Sequence, residues 1–188
     1  DATFKSMDKI TYLRFDPIAS AGTFEIDYIR VYPSESKTTL NTSSRFETFG
    51  FSNTQNTSTS GNKIYGEAKY FNFAGRNDHY DPMFEIPNLK LATDYYNTVD
   101  VTMKYTINDD KTTLSMFFVS DGVTTLHEAA RRVVVELNKS DGANYKTYTL
   151  DLSSNSYWNS SFFAKKFRFD PIECSGSFEI TSIRFYHK

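Results

Sequence analysis

Along most of the chain, apolar residues recur at every second position. YYNTVDVTMKYTI (Tyr95–Ile107) sets Val99, Val101, Met103 and Tyr105 on one face, and KTYTLDL (Lys146–Leu152) alternates in the same way. A period of two sends successive side chains to opposite faces of a strand, one toward a core and one toward solvent. SRFETFGF (Ser44–Phe51), MFEIPNLKL (Met83–Leu91, ended by Pro87), TTLSMFFVS (Thr112–Ser120), AKKFRFDP (Ala164–Pro171) and SFEITSIRFY (Ser177–Tyr186) read as strands. KIYGEAKYFNF (Lys63–Phe73) reads as a strand pair or as one strand with a glycine irregularity. HEAARRVVVEL (His127–Leu137) is ambiguous: its first half suits a helical turn, and Val133–Val135 favours strand.

Polar segments punctuate the strands. NTQNTSTSGN (Asn53–Asn62) and SSNSYWNSS (Ser153–Ser161) read as loops, and AGRNDHYDP (Ala74–Pro82) as a polar turn. NDDK (Asn108–Lys111) reads as a hairpin turn, with further DG turns at Asp121–Gly122 and Asp141–Gly142. Roughly nine short strands, regular turn signals and no clear helix predict an all-β fold, an antiparallel β-sandwich.

The end of the chain repeats its beginning. RFDPIASAGTFEIDYIRVY (Arg14–Tyr32) aligns without a gap with RFDPIECSGSFEITSIRFY (Arg168–Tyr186) at an offset of 154, with 12 of 19 positions identical. That period is far longer than the roughly 20–50 residues of solenoid or propeller units and matches a whole domain. The simplest organisation is tandem modules: residues 1–33 as the closing hairpin of an upstream copy, 34–37 as linker and 38–188 as a complete module. The alternative is one domain with two similar hairpins, including a circularly shifted module that uses residues 1–33 as its own edge. In the tail, Phe167, Phe169, Phe178 and Ile180 are expected to face the core, and Arg168, Asp170, Glu179 and Thr181 to face out. The apolar phase then shifts to Ile183 and Phe185, which predicts a bulge near Thr181–Ser182. The recurrence of Arg168 and Asp170 in both copies points to a cross-strand pair or turn hydrogen bonding. The apolar face of the 1–33 segment is expected to pair with something, either in cis on a sheet edge or in a tail-mediated dimer.

Composition narrows the function. The chain is 39% hydrophobic and 16% aromatic, with 17 Phe and 13 Tyr against one Trp, which suits strands. A net charge of −2 lacks the basic footprint expected for nucleic acid or an anionic membrane. The single cysteine, Cys174, excludes an intramolecular disulfide. No apolar run reaches the roughly 18 residues of a membrane helix, and the chain opens mid-element, like a piece cut from a longer polypeptide.

LRFDPIASAGTFEIDYIRVY resembles the closing signature of carbohydrate-binding modules with the galactose-binding-like jelly-roll fold, found in multimodular bacterial glycoside hydrolases and cell-surface proteins. FETFGFSNT (Phe46–Thr54), NDHYDPMFEI (Asn77–Ile86) and KTYTLDLSSNSYW (Lys146–Trp158) extend the resemblance over residues 38–188. Phe51 stands where Trp is commoner in the family, and Thr181-Ser182 replaces the Asp-Tyr kept at Asp27-Tyr28. The resemblance implies a non-catalytic polysaccharide-binding module of a larger bacterial extracellular or surface protein, in tandem with neighbouring modules. Its ligand would be a plant or microbial polysaccharide. Such sandwiches often hold a structural Ca2+, although no EF-hand loop or other spaced acidic motif is visible.

A sugar site needs flat aromatic faces against the C–H faces of pyranose rings and planar polar groups that direct the hydroxyls. Two segments carry this mixture: Arg76, Asn77, His79 and Tyr80 in RNDHYD, and Tyr157 and Trp158 in NSYWN, with Tyr65 and Tyr70 as further candidates. Each has a plainer reading. Trp158 aligns with Phe4, so its ring equally well caps the core; Tyr80 equally well shapes a turn; His79 and His127 suit a surface. Zinc is not expected from one Cys and three unspaced His. Nor is catalysis, since no nucleophile elbow, phosphate-cradling loop or Cys–His signature occurs. Two alternatives remain: a cell-surface spacer or protein-interaction repeat without a sugar site, and a small hydrolase with two facing carboxylates about 5–9 Å apart.

Overall fold

The computed structural model describes residues 16–17, 21–26, 37–39, 52–60, 63–73, 76–80, 82–87, 89–120 and 129–188; for 37–39, 52–54, 69–73 and 76–80 only the backbone is described. The chain divides into two compact units, Asp1–Glu35 and Ser36–Lys188. In the first, Phe24 and Ile26 are 56% and 46% exposed. The rest of the 1–33 hairpin expectation, like the Ser44–Phe51 strand, lies outside the described residues.

The second unit is built almost entirely of strands: β1 (Lys37–Thr39), β2 (Ser52–Gln55), β3 (Thr57–Ser60), β4 (Lys63–Phe73), β5 (Arg76–Tyr80), β6 (Met83–Ile86), β7 (Leu91–Ala92), β8 (Thr98–Ile107), β9 (Lys111–Ser120), β10 (Arg132–Asn138), β11 (Lys146–Asp151), β12 (Phe163–Asp170) and β13 (Gly176–Tyr186). They form two antiparallel sheets. One runs β11-β8-β13-β4-β3, with β1 on β13 and β5 on β4; the other runs β10-β9-β12-β6-β2, with β7 on β12. The fold is an antiparallel β-sandwich. No helix among the described residues is long and apolar enough to cross a membrane.

The core lies between the sheets. Phe167, Phe169, Phe178 and Ile180 are buried as the alternation requires, and Phe167 of one sheet meets Phe185 of the other with ring centroids 5.0 Å apart. The ladder between β13 and β8 slips between Ile180 and Ser182, which returns Ile183 and Phe185 to the core face. This is the bulge expected from the phase shift. Cys174 is a buried free thiol.

Several local readings are overturned. Asn53–Asn62 is not a loop: most of β2 and all of β3 fall within it, joined at Asn56, whose φ of 51° turns the chain. Their Ser, Thr and Gln content reflects their place at the ends of the sheets, where little apolar surface needs cover. Arg76–Tyr80 is likewise a strand, paired rung by rung with Lys69–Phe73. Ser156–Asn159 forms one helical turn inside the predicted loop.

The larger correction concerns the repeat itself. β12 belongs to one sheet and β13 to the other, so the second copy of the repeated segment, Arg168–Tyr186, is an arch across the sandwich and not a hairpin. NDDK makes the same crossing, from β8 to β9. Both arches follow from partner choice. β13 completes its ladders with β4 and β8, and β12 completes its own with β6 and β9, which leaves neither free to pair with the other. Arg168 and Asp170 form a bidentate pair within β12, at 2.6 and 2.8 Å, rather than across strands. Asp170 points away from the core yet is 5% exposed; burial raises its pKa, opposed by the Arg168 hydrogen bonds.

Candidate functional site

Because β13 lies between β4 and β8, its outward residues meet outward residues of both. Glu179 pairs with Tyr65 on one side and Lys104 on the other, and Ser58 of β3 extends the row beyond Tyr65. An open groove of about 810 Å³ lies here, flanked by Asn56–Ser58 and by Gly142–Ala143, with Tyr65, Glu67, Lys104 and Glu179 in its lining. A smaller cavity adjoins it, sharing Glu67, Thr106 and Ser177, and continues toward Asn108 and Ser175.

Glu179 organises the groove. Its carboxylate accepts hydrogen bonds from the Tyr145 hydroxyl, from Lys63 Nζ and from Lys104 Nζ, the last at 3.0 Å. Both ammonium groups also lie against the Tyr145 ring, at 5.6 and 5.0 Å from its centroid. Burial favours the neutral acid, but the three donors outweigh it and hold the carboxyl down at about 2. The same bonds to Glu179 raise the pKa of Lys63 and of Lys104.

A depressed carboxylate pKa stabilises the fold above its unfolded value and loses that contribution as pH falls through the folded value. For Glu179 the window runs from about pH 4.5 down to about 2. Glu179→Gln is therefore expected to be less stable than the parent at neutral pH, with the gap in urea midpoint closing as pH falls through that window. An unchanged gap would exclude the Glu179 carboxylate as its source.

Of the sequence-predicted residues with described side chains, Tyr65, Tyr157 and Trp158 lie in different surroundings. Tyr65 lies in the groove. Tyr70 and His79 are partners in the β4–β5 ladder, as are Lys69 and Tyr80, and Asn72 and Asn77; Arg76 partners Phe73. Their side chains, with Asp81 and His127, lie outside what is described. Tyr157 belongs to the other end of the sandwich. Asn155 caps its one-turn helix, its Oδ1 accepting from the backbone N–H groups of Tyr157 and Trp158, both at 3.1 Å. That turn directs Tyr157 outward, 42% exposed, with Arg131 stacked on its ring at 4.4 Å.

Trp158 points inward. It is fully buried, its ring edge-on to Phe118, and its indole N–H donates to the carbonyls of Thr93 and Tyr96 at 2.9 and 2.7 Å. A ring so enclosed offers no face to a sugar; Trp158 is a core residue.

Sequence reasoning missed Glu179, Lys63, Lys104 and Tyr145. One signal existed: Glu25 and Glu179 are identical in the two copies although the alternation turns both outward. The remaining three come from β4, β8 and the approach to β11, and only the ladders bring them to Glu179.

The groove has ionised and hydroxyl-bearing groups with tyrosine faces beside them. Among the described residues no cluster of three or more His, Cys, Asp or Glu is placed to hold a metal. Glu67 shares the outer face with Glu179 at a diagonal position of the ladder. Glu179 has no proton to donate near neutrality, since three donors keep it ionised.

No protein-family profile matches the chain, and no curated protein matches it. Solved structures do resemble it. One is the C-terminal CBM6 of LamC, a marine laminarinase from Zobellia galactanivorans, 12% identical, with TM-score 0.39 over 80% of this chain and 99% of that one. Another is the laminarinase from Rhodothermus marinus, 7% identical, with TM-score 0.42 over 70% of this chain and 80% of that one. A third is the Gap123 glycosylation-associated protein complex from Streptococcus agalactiae, 14% identical, with TM-score 0.37 over 70% of this chain and 22% of that one. The assignment of the fold rests on the two sheets themselves.

Proposed function

We propose that residues 38–188 are a non-catalytic carbohydrate-binding module that holds a larger extracellular or surface protein on a polysaccharide. The observation that carries this reading is the open groove over the seven-stranded sheet, with Tyr65 in its lining and Tyr145 against the Lys63–Glu179–Lys104 cluster. A tyrosine face packs against the C–H face of a pyranose ring, while fixed charged and hydroxyl groups direct its hydroxyls. Glu179 is fixed by its three donors before any ligand arrives, so little ordering cost falls on binding. A shallow, open groove suits internal units of a chain. The closing motifs shared with galactose-binding-like modules favour the same class.

Affinity electrophoresis against xylan, β-glucan, mannan and pectin tests the proposal. At least one is expected to retard the folded protein, and Tyr65→Ala to weaken that retardation about tenfold, the loss of one stacking contact. Retardation by none of them would favour the spacer reading. Turnover of a chromogenic glycoside that is abolished in Glu179→Gln would instead make the groove an active site; no turnover is expected.

A further inference from the structure

β10 ends its sheet. It pairs with β9 over seven rungs, from Arg132↔Phe117 to Asn138↔Lys111, and its other edge meets no ladder among the described residues. Such edges are usually blunted by proline, charged side chains, bulges, short length or a covering loop. Arg132–Asn138 (RVVVELN) has no proline and no bulge against β9, and its two charges, Arg132 and Glu136, are of opposite sign. Val133 and Val135 pack on the core, and Val134, on the outer face, is 50% exposed.

The charges of this strand are self-complementary. In an antiparallel pair of two β10 strands centred on Val134, Arg132 of each copy lies opposite Glu136 of the other. Val133 lies opposite Val135, so the core faces also continue across the junction. Shifting the centre by one residue either way sets Arg132 against Val134 or against Asn138, and both charge pairs are lost. Arg132 and Glu136 already have partners within the chain, Glu173 and Lys111. Those partners lie on the β9 side of the strand or beyond it, with Ser115 and Thr113 also bonded to Arg132, so the cross-axis pairs form when the two part-exposed side chains swing to the free edge.

We infer that β10 is a self-association edge, at which a second copy of this chain adds its own β10 antiparallel about a two-fold axis at Val134. The partner is set by the only register that opposes unlike charges twice. The contact is narrow, below the area of a standard stable interface, so the dimer is a weak one.

Sedimentation velocity of the 188-residue chain over a wide concentration range is expected to show a reversible monomer–dimer equilibrium. Glu136→Arg opposes arginines across the two-fold, and Arg132→Glu opposes glutamates. Each is expected to raise the dimer dissociation constant about tenfold or more. Mixed in equal amounts, the two variants again set an arginine against a glutamate at both rungs, and a heterodimer is expected to form. Circular dichroism and thermal melts matching the parent establish that the variants are folded. Because Arg132 also bonds Ser115 and Glu173, Val134→Lys serves as a second variant, which sets two ammonium groups face to face and should abolish the dimer. A monomer at every concentration overturns the inference. So does a dimer untouched by Val134→Lys and Glu136→Arg, as exchange through residues 1–33 would give.

Discussion

Trp158→Ala is expected to destabilise the module by about 3–5 kcal/mol, the range for removing a large buried aromatic. The indole is fully buried against Phe118 and Phe167, with centroids at 5.0 and 6.4 Å, so its removal leaves a cavity where the six-stranded sheet meets the helical turn. It also strips the Thr93 and Tyr96 carbonyls of a shared donor, and buried acceptors left without a partner add to the cost. Trp158→Phe keeps part of the ring but loses the N–H, and should fall between the two. Urea unfolding followed by far-UV circular dichroism measures both. Under conditions where the Ala variant remains folded, polysaccharide retardation should match the parent. A variant as stable as the parent that has lost retardation would return Trp158 to the ligand site.

Gly176→Ala is expected to cost about 3 kcal/mol, at the upper end for overpacking. Gly176 opens β13 where it enters between β4 and β8, opposite Ala68 and Ile107. A Cβ there would overlap the Thr106 carbonyl oxygen and lie 3.0 Å from Ile107 Cα. Both are backbone atoms of β8, held there by the ladder with β13, so neither can give way as the tip of a side chain would. The same residue lines the smaller cavity beside the groove, so weakened polysaccharide retardation should accompany the lost stability. A urea midpoint equal to the parent's would show that β8 moves to accept the methyl group. The equivalent of Gly176 in the first copy is Gly22, one of the 12 identities.

Much of the fold is legible in the sequence because alternation at period two is a local property. Val99, Val101 and Met103 face the core for the same reason that they can be picked out on the page, and the slip at Thr181–Ser182 shows as a break in phase before any partner strand is known. Misreadings fell where residue type and position disagreed. Asn53–Asn62 looks like a loop because edge strands carry few apolar residues, and Arg76–Tyr80 because its polar residues hide a ladder with Lys69–Phe73.

The site was less legible. Of the predicted ligand residues with described side chains, Tyr65 lies in the groove, Tyr157 lies at the far end of the sandwich and Trp158 lies inside it. Adjacent in sequence, Tyr157 and Trp158 part company because one helical turn points them about 100° apart. Composition marks both as aromatic; only burial separates them.

Most of the strands, their buried faces, the bulge and the 154-residue period are written in the spacing of residues along the chain, and can be read there without a partner in view. Which strands pair is settled only in three dimensions. That choice made Arg168–Tyr186, the second copy of the repeat, an arch between sheets, and it drew Lys63, Lys104 and Tyr145 around Glu179. Alternation says which way a side chain points from its strand but not which strand lies beside it. Ladder partners are selected by the packing of the whole core, and so a carboxylate that reads as solvent-facing in the sequence becomes the organising charge of a groove.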